Sequence, residues 1–139
     1  MKKFFLTVHK GTAASNLSAF ILRVGFGVLM IPRHGYVKLV EFNERKEQFM
    51  DFLGLGGTVT LSLTIFAEFF CSILLILGLF TRLAAIPLLI TVLVIFSVHN
   101  WEFFGKYELA TAFFIGYVSI FILGPGKFSL DYLLFKKGR

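Results

Sequence analysis

The chain has 139 residues, of which 57% are hydrophobic, and its mean hydropathy is +0.82. These values exclude an ordinary soluble domain, in which about 45–50% of residues are apolar even when glycine is counted. The net charge of +6 sits in tails and connections, so no basic face is left for nucleic acid once the apolar runs lie in lipid. We therefore expect a single membrane domain, residues 1–139, in contact with the lipid bilayer.

The polar residues do not form a familiar catalytic or metal-binding motif. His9, His34 and His99 are far apart and have no i, i+4 spacing, so no metal or haem site is predicted. Cys71 is the only cysteine, which excludes a cysteine pair within the chain. The sequence therefore gives no support for catalysis of the kind found in soluble enzymes.

The first predicted span, 16–40, carries a polar stripe whose members are three or four positions apart: Arg23, Gly27, Met30, His34 and Lys38. This spacing places them on one face of a helix. Pro32 lies within the run, but membrane helices tolerate proline because neighbouring groups satisfy the freed backbone. The stripe, with a glycine on it, predicts a face that packs against other helices rather than against lipid.

The second predicted span, 59–80, has one carboxylate, Glu68, near its middle. Its length is sufficient, since a span needs about 20 mainly apolar residues. A charged group at that depth is costly and indicates a functional site by default. Gly78 and Arg82 are interpreted as structural residues of the short connection to the third span, 83–99.

The fourth predicted span, 107–123, begins near Glu108 and stops at a strong helix breaker made of Gly124, Pro125 and Gly126. The following segment, 127–137, has the pattern of an amphipathic tail that lies on the membrane surface. The sequence thus predicts an all-α protein, a bundle of four transmembrane helices.

An even number of spans places both termini on the same side of the membrane. That side would carry eight cations and one acid, whereas the other side would carry equal numbers of both. The positive-inside rule then places both termini in the cytoplasm. We expect a multi-pass protein of the cell (inner) membrane.

Depth along each helix predicts where the polar residues meet. At about 1.5 Å per residue, His34, Lys38, Glu68 and Glu108 converge in the outer half of the bundle. Arg23 lies nearer the cytoplasmic end, about 10 Å up the first helix, and would reach either Glu68 or, by snorkelling, Asp131. Two interpretations of the predicted cluster remain open. It is a structural network that docks the helices, or it lines a pocket for a polar head, such as a quinone ring, or a proton path.

Several short motifs occur in a specific order: R-H-G-x-x-K at 33–38, A-E at 67–68, L-G-L-F-T-R at 77–82, Y-E-L-A at 107–110 and G-P-G-K-F-S-L-D at 124–131. In this order, over roughly residues 17–134, the chain resembles the DoxX family of small four-helix membrane proteins. The resemblance implies a four-helix bundle and, for some members, a link to quinone-dependent respiratory or sulfur-oxidising complexes. The positions carried over are Arg23, His34, Gly35, Lys38, Glu68, Arg82, Glu108 and Asp131.

The first hypothesis on function is therefore a non-haem membrane subunit that binds quinone or supports an oxidoreductase partner. No cofactor is certain from the sequence, although quinone is compatible with it. A second hypothesis is a small proton-coupled transporter, because exporters of similar size use a membrane-embedded glutamate. A third is a structural or assembly subunit without activity of its own. A homodimer is also feasible, since glycine-bearing faces leave room for one.

Overall fold

A computed structural model describes residues 12–135 of the chain, and this part is helical without strands. Four of its helices are long and apolar enough to cross a membrane: α1 (Ala13–Val40), α3 (Gly57–Leu77), α4 (Thr81–Val98) and α5 (Glu108–Leu123, preceded by a 3₁₀ turn, Gly105–Tyr107). Two short helices complete the described part, α2 (Phe42–Arg45) and α6 (Leu130–Phe135). The predicted all-α fold with four spanning helices is confirmed.

The spanning helices form a closed ring. α1 packs against α3 and α5, and α4 packs against the other sides of α3 and α5. We call the end at which Ala13, Leu77, Thr81 and Leu123 lie the termini end, and the opposite end the far end. The core between the helices is apolar and includes Leu75, Leu88, Phe96, Tyr117 and Ile120, each almost fully buried.

Two of the helices contain a widened, π-helical turn. In α1 this turn covers Ile31–Gly35 and has Pro32 near its start, where the missing N–H breaks the regular hydrogen-bond ladder. In α3 it covers Phe66–Cys71 and contains Glu68. A π turn inserts one extra residue, so the buried position that follows Met30 is Gly35, five residues on. Such turns are frequent at functional sites.

The connection between α3 and α4 lies earlier in the chain than the sequence predicts. α3 ends at Leu77, because Gly78 takes a left-handed conformation with φ +69° that terminates helices. Phe80 is also left-handed, with φ +48°. Thr81 and Arg82 therefore begin α4 rather than forming the turn, and α4 has 18 residues, two of them ahead of the predicted start at 83.

The chain turns back onto the termini end after α5. Gly124, Pro125 and Gly126 are buried there, and α6 follows after bends at residues 127–129. Phe128, Leu133 and Leu134 are exposed to the surroundings, whereas Asp131 is buried against the bundle. The amphipathic tail predicted for 127–137 includes residues 136 and 137, which lie outside the described part.

Candidate functional site

The two π turns place a lysine beside the carboxylate in the middle of the bundle. Lys38, one turn beyond the π turn of α1, donates a hydrogen bond and forms an ion pair with Glu68 Oε2 at 2.5 Å. The Glu68 side chain is 3% exposed and that of Lys38 is 19% exposed. A charge removed from water at this depth needs a partner, and Glu68 obtains it from the neighbouring helix.

A cavity of about 200 Å³ lies next to this ion pair, between the four spanning helices in the far half of the bundle. Glu68 and His34 supply polar groups to its wall, and Lys106, in the middle of the 3₁₀ turn, also lies on its lining. The remaining wall is mainly apolar and aromatic: Met30, Thr91, Val92, Ile95, Tyr107, Leu109, Ala110 and Phe113. A mainly apolar cavity with a few converging polar groups is typical of small-molecule sites.

His34 is half-buried on the wall of this cavity. Its ring meets the edge of the Phe113 ring at a centroid distance of 5.9 Å, which ties α1 to α5. It also lies within electrostatic range of Glu68, Lys38 and Arg33. The imidazole is therefore held by an aromatic contact on the cavity wall.

Two residues of the predicted cluster lie elsewhere. Glu108 is exposed at the first position of α5, because that helix buries the face formed by Phe113, Gly116, Tyr117 and Ile120. The prediction that Glu108 belongs to the buried cluster is therefore wrong. A carboxylate at a helix N-terminus is instead favoured by the helix dipole.

Arg23 is fully buried, but its guanidinium binds the termini end rather than Glu68. Nη1 donates to the carbonyl oxygens of Leu75 at 3.0 Å and Ile76 at 3.3 Å, and Nη2 donates to that of Phe128 at 2.6 Å. Leu75 and Ile76 belong to the last turn of α3, where carbonyl groups lack the regular intrahelical partner, and the Leu75 carbonyl also accepts from the Gly78 N–H. Of the two directions predicted for Arg23, towards Glu68 or towards Asp131, its observed contacts lie on the side of Asp131, so Arg23 does not join the group around Glu68.

Arg82 and Asp131 bind other helix ends at the same side. Arg82, 1% exposed, donates through Nε to the Phe121 carbonyl at 3.0 Å and through Nη2 to the Ile122 carbonyl at 3.3 Å. The Asp131 carboxylate accepts from the backbone N–H groups of Phe80 at 2.7 Å and Thr81 at 2.9 Å, at the start of α4. Each charge matches the sign of the helix dipole that it faces.

Comparison with known proteins agrees with this architecture. The sequence profile of the DoxX family matches residues 18–101, more than half of the chain. The chain belongs to the DoxX family. Among curated proteins and among solved structures, none matches it.

The matched range contains only part of what the structure brings together. Within it lie His34, Lys38 and Glu68, and also the arginines that bind helix ends at the termini end. Outside it lie Lys106, Tyr107 and Phe113 of the cavity, together with Asp131 and the Gly124–Pro125–Gly126 turn. The DoxX match therefore covers the ion pair but not the α5 side of the cavity.

Sequence reasoning missed several residues of the cavity wall. Phe113 and Tyr107 are apolar or aromatic residues within a span, where the composition gives no signal that separates a cavity wall from a lipid contact. Lys106 lies one residue ahead of the predicted fourth span, 107–123, and was therefore not expected inside the bundle. Lys38 and Gly35, in contrast, were both expected from the sequence, and they lie beside the cavity rather than on its lining.

Proposed function

We propose that this DoxX family protein is a non-haem subunit of a membrane oxidoreductase that binds the head group of a quinone in the cavity beside Glu68. The observation that carries the proposal is a buried carboxylate and an imidazole on the lining of a mainly apolar cavity between the four spanning helices. A quinone head is an apolar ring with two oxygen atoms, so it suits an apolar wall with few polar groups.

The dimensions of the cavity fit a single ring. Its volume of about 200 Å³ is below the range of about 300–1,000 Å³ that accommodates drug-sized ligands. A ring would fill it, and an isoprenoid tail would have to leave between the helices into lipid. The aromatic side chains of Phe113 and Tyr107 offer the ring edge and face contacts.

Each polar residue would have its own role, in quinone binding, in proton transfer or in positioning. His34, whose ring is oriented by Phe113, would bind one ring oxygen through a nitrogen. Glu68 would accept a proton at its carboxylate, and Lys38 would hold that carboxylate at the cavity wall. When bound, a quinone would supply the two-electron redox chemistry, and a redox partner subunit would donate or accept the electrons.

The test uses the purified full chain and a short-chain quinone as the probe. A ligand that binds only the folded state raises the melting temperature with its concentration, so we expect a concentration-dependent shift. Glu68→Gln and His34→Ala should weaken that shift, whereas Glu44→Gln, at an exposed position in α2, should leave it unchanged. Equal shifts in all four proteins, or none in the native chain, would refute the proposal.

Assignment to the inner membrane with both termini in the cytoplasm belongs to the same proposal. It is supported by the excess of cations in the segments at the termini end. Accessibility of a single cysteine introduced at Lys127, in a Cys71→Ser background, would test this orientation in intact cells. Labelling of Lys127→Cys by an impermeant reagent from outside would overturn it.

A specific observation also favours a structural role as the second candidate. Glu68 is already paired with Lys38, and three charged residues bind helix ends at the termini end. A subunit of this kind would support assembly of a partner complex without binding a ligand itself. In that case Glu68→Gln lowers abundance or melting temperature, and the short-chain quinone shifts none of the variants.

A further inference from the structure

The cavity beside Glu68 is open to the surroundings near the start of α5. Most of the residues on its lining are buried or half-buried. The exposed ones are Lys106, in the 3₁₀ turn, and Leu109, at the second position of α5. Leu109 lines the cavity although it is 58% exposed. The cavity therefore reaches the outside of the bundle beside these two residues.

Leu109 continues a face of α5 that α1 covers nearer the termini end. Positions 109, 113 and 116 are four and three residues apart, which places them on one side of the helix. Phe113 and Gly116 of this face meet Phe26 of α1. The ring centroids of Phe26 and Phe113 are 5.7 Å apart, and a Cβ atom added at Gly116 would be 2.4 Å from the Phe26 ring. Leu109 lies beyond this contact, and the same face is exposed there.

The face opens because α1 turns from α5 towards α3 at its π turn. At His34 the helices still touch, through the Phe113 ring at 5.9 Å. The next residue, Gly35, lies against the Glu68 backbone of α3. Among the described residues, the segment Tyr36–Val40 then packs against α3 and makes no extensive contact with α5. The far halves of α1 and α5 thus diverge beyond the contact of His34 with Phe113.

The other three seams between neighbouring helices are closed at the level of the cavity. The Gly35 contact closes the seam between α1 and α3. The π turn of α3, Phe66–Cys71, packs against α4. Between α4 and α5 the Phe96 ring meets that of Phe114 at 6.0 Å and that of Phe103 at 4.9 Å. A tail attached to a ring in the cavity is therefore directed to the seam between α1 and α5.

We propose that a quinone with a long tail enters the cavity through the opening between the far halves of α1 and α5, and that its tail then passes across Leu109 into the far leaflet. This route rests on the proposed quinone function. At about 1.5 Å per residue, Leu109 lies about 21 Å and Lys106 about 26 Å along the span from Leu123. In a hydrocarbon core of about 30 Å, Leu109 faces lipid tails and Lys106 approaches the head groups, so the opening has an apolar side and a polar rim.

Two probes with the same ring test the route by thermal shift of the full chain in detergent. One is the short-chain quinone with a decyl tail, and the other carries a methyl group in place of the tail. Leu109→Trp places a large side chain in the opening, whereas Ile115→Trp changes a 60% exposed residue of α5 that does not line the cavity. We expect both probes to stabilise the native chain and Ile115→Trp. In Leu109→Trp the tailed probe should need about tenfold or more higher concentration, while the response to the tailless probe persists.

The outcomes separate the route from the proposed function. Equal responses of Leu109→Trp and Ile115→Trp to the tailed probe would overturn the route and leave quinone binding intact. Loss of both responses in Leu109→Trp also contradicts the route, because an obstructed opening leaves the space for the ring free. A native chain that neither probe stabilises refutes the function and the route together. The persistent response to the tailless probe shows that the variant is folded.

Photolabelling locates the tail directly. A quinone with a diazirine on the first carbons of its tail should form adducts at Leu109 and on the facing side of α1, and an excess of the unlabelled tailed quinone should abolish them. Mass spectrometry of the digested chain maps the sites. Leu63 of α3 and Leu93 of α4, 56% and 40% exposed, should carry no adduct that this competition removes. Competed adducts at Leu63 or Leu93 in place of Leu109 would overturn the route.

Discussion

Gly35 of α1 lies directly against the backbone of Glu68 in α3. A Cβ atom added at Gly35 would be 2.7 Å from the Glu68 carbonyl oxygen and 2.8 Å from the Phe69 nitrogen. Real Cβ atoms do not approach backbone so closely, and backbone at the junction of two helices cannot move aside alone. The two π turns are therefore in contact at this pair, and the contact sets the distance across which Lys38 reaches Glu68.

Gly35→Ala should accordingly force α1 and α3 apart. Overpacking of this kind costs about 1–3 kcal/mol, so we expect a lower melting temperature in detergent and a weaker response to the short-chain quinone. Gly25→Ala on the same helix is the matched control, because a Cβ there meets nothing within 4 Å. Equal stability of the two variants would show that the contact does not constrain the helices.

Lys38→Met should destabilise the protein more than loss of a surface ion pair does. It leaves the Glu68 carboxylate buried without a partner, for which the expected cost is about 3–5 kcal/mol. Arg45→Met breaks the ion pair with Glu41, in which the Arg45 side chain is 44% exposed and the Glu41 side chain 40% exposed. An exposed ion pair of this kind contributes about 0–1 kcal/mol. Chemical denaturation in mixed micelles measures the difference.

The same measurement on the double variant Lys38→Met/Glu68→Gln completes a mutant cycle. Because the second substitution removes the unpaired charge, the double variant should regain much of the stability lost in Lys38→Met. A double variant less stable than the sum of both single losses would contradict the pairing.

Asp131→Ala should loosen the start of α4 and the return of the chain onto the termini end. The substitution removes both oxygens that accept from the Phe80 and Thr81 backbone, and loss of a helix N-terminal acceptor costs about 0.5–2 kcal/mol. We expect a lower melting temperature and faster proteolysis after residue 123, measured by mass spectrometry. Glu44→Ala, at an exposed position, should change neither rate nor temperature.

Arg82→Lys should behave as a disruptive substitution although it keeps the charge. The guanidinium reaches two carbonyls of α5 at once, and a lysine ammonium lacks the planar fork needed for that geometry. Hydrogen bonds from charged groups contribute about 1.5–3 kcal/mol, so the melting temperature should fall measurably. Arg33→Lys, exposed in α1, serves as the control, and equal temperatures would argue against a role in holding α5.

The predicted spans were close to the observed ones, and the errors have local causes. The boundary between the second and third spans was predicted a few residues too late in the chain. Leu79 and Phe80 are apolar, and hydropathy does not distinguish a tight left-handed turn from a helix. The helix breaker after the fourth span was predicted from Gly124, Pro125 and Gly126, and α5 ends at Leu123. Composition thus locates the end of a helix where glycine and proline break it, and misses the end where the turn is made of apolar residues.

For the polar residues, the sequence indicated burial of Glu68 correctly but did not give the full set of residues around it. Glu68 was recognised as a buried charge from its place in an apolar run, and its depth along α3 was enough to expect a partner. Spacing along α1 pointed to Lys38 as one of several partners. Glu108 was assigned to the same group, but depth gives no information on the rotation of α5 about its axis, and that rotation turns Glu108 outward.

By itself the sequence determined that four apolar helices cross a membrane and that charges lie within them, because span length and the cost of burying charge are local properties of the chain. Only the tertiary structure decided which charges meet. The π turns and the Gly35 contact pair Lys38 with Glu68, while Arg23, Arg82 and Asp131 bind helix ends instead. Helix rotation and inter-helix spacing depend on packing between segments distant in the chain, and local composition does not specify them.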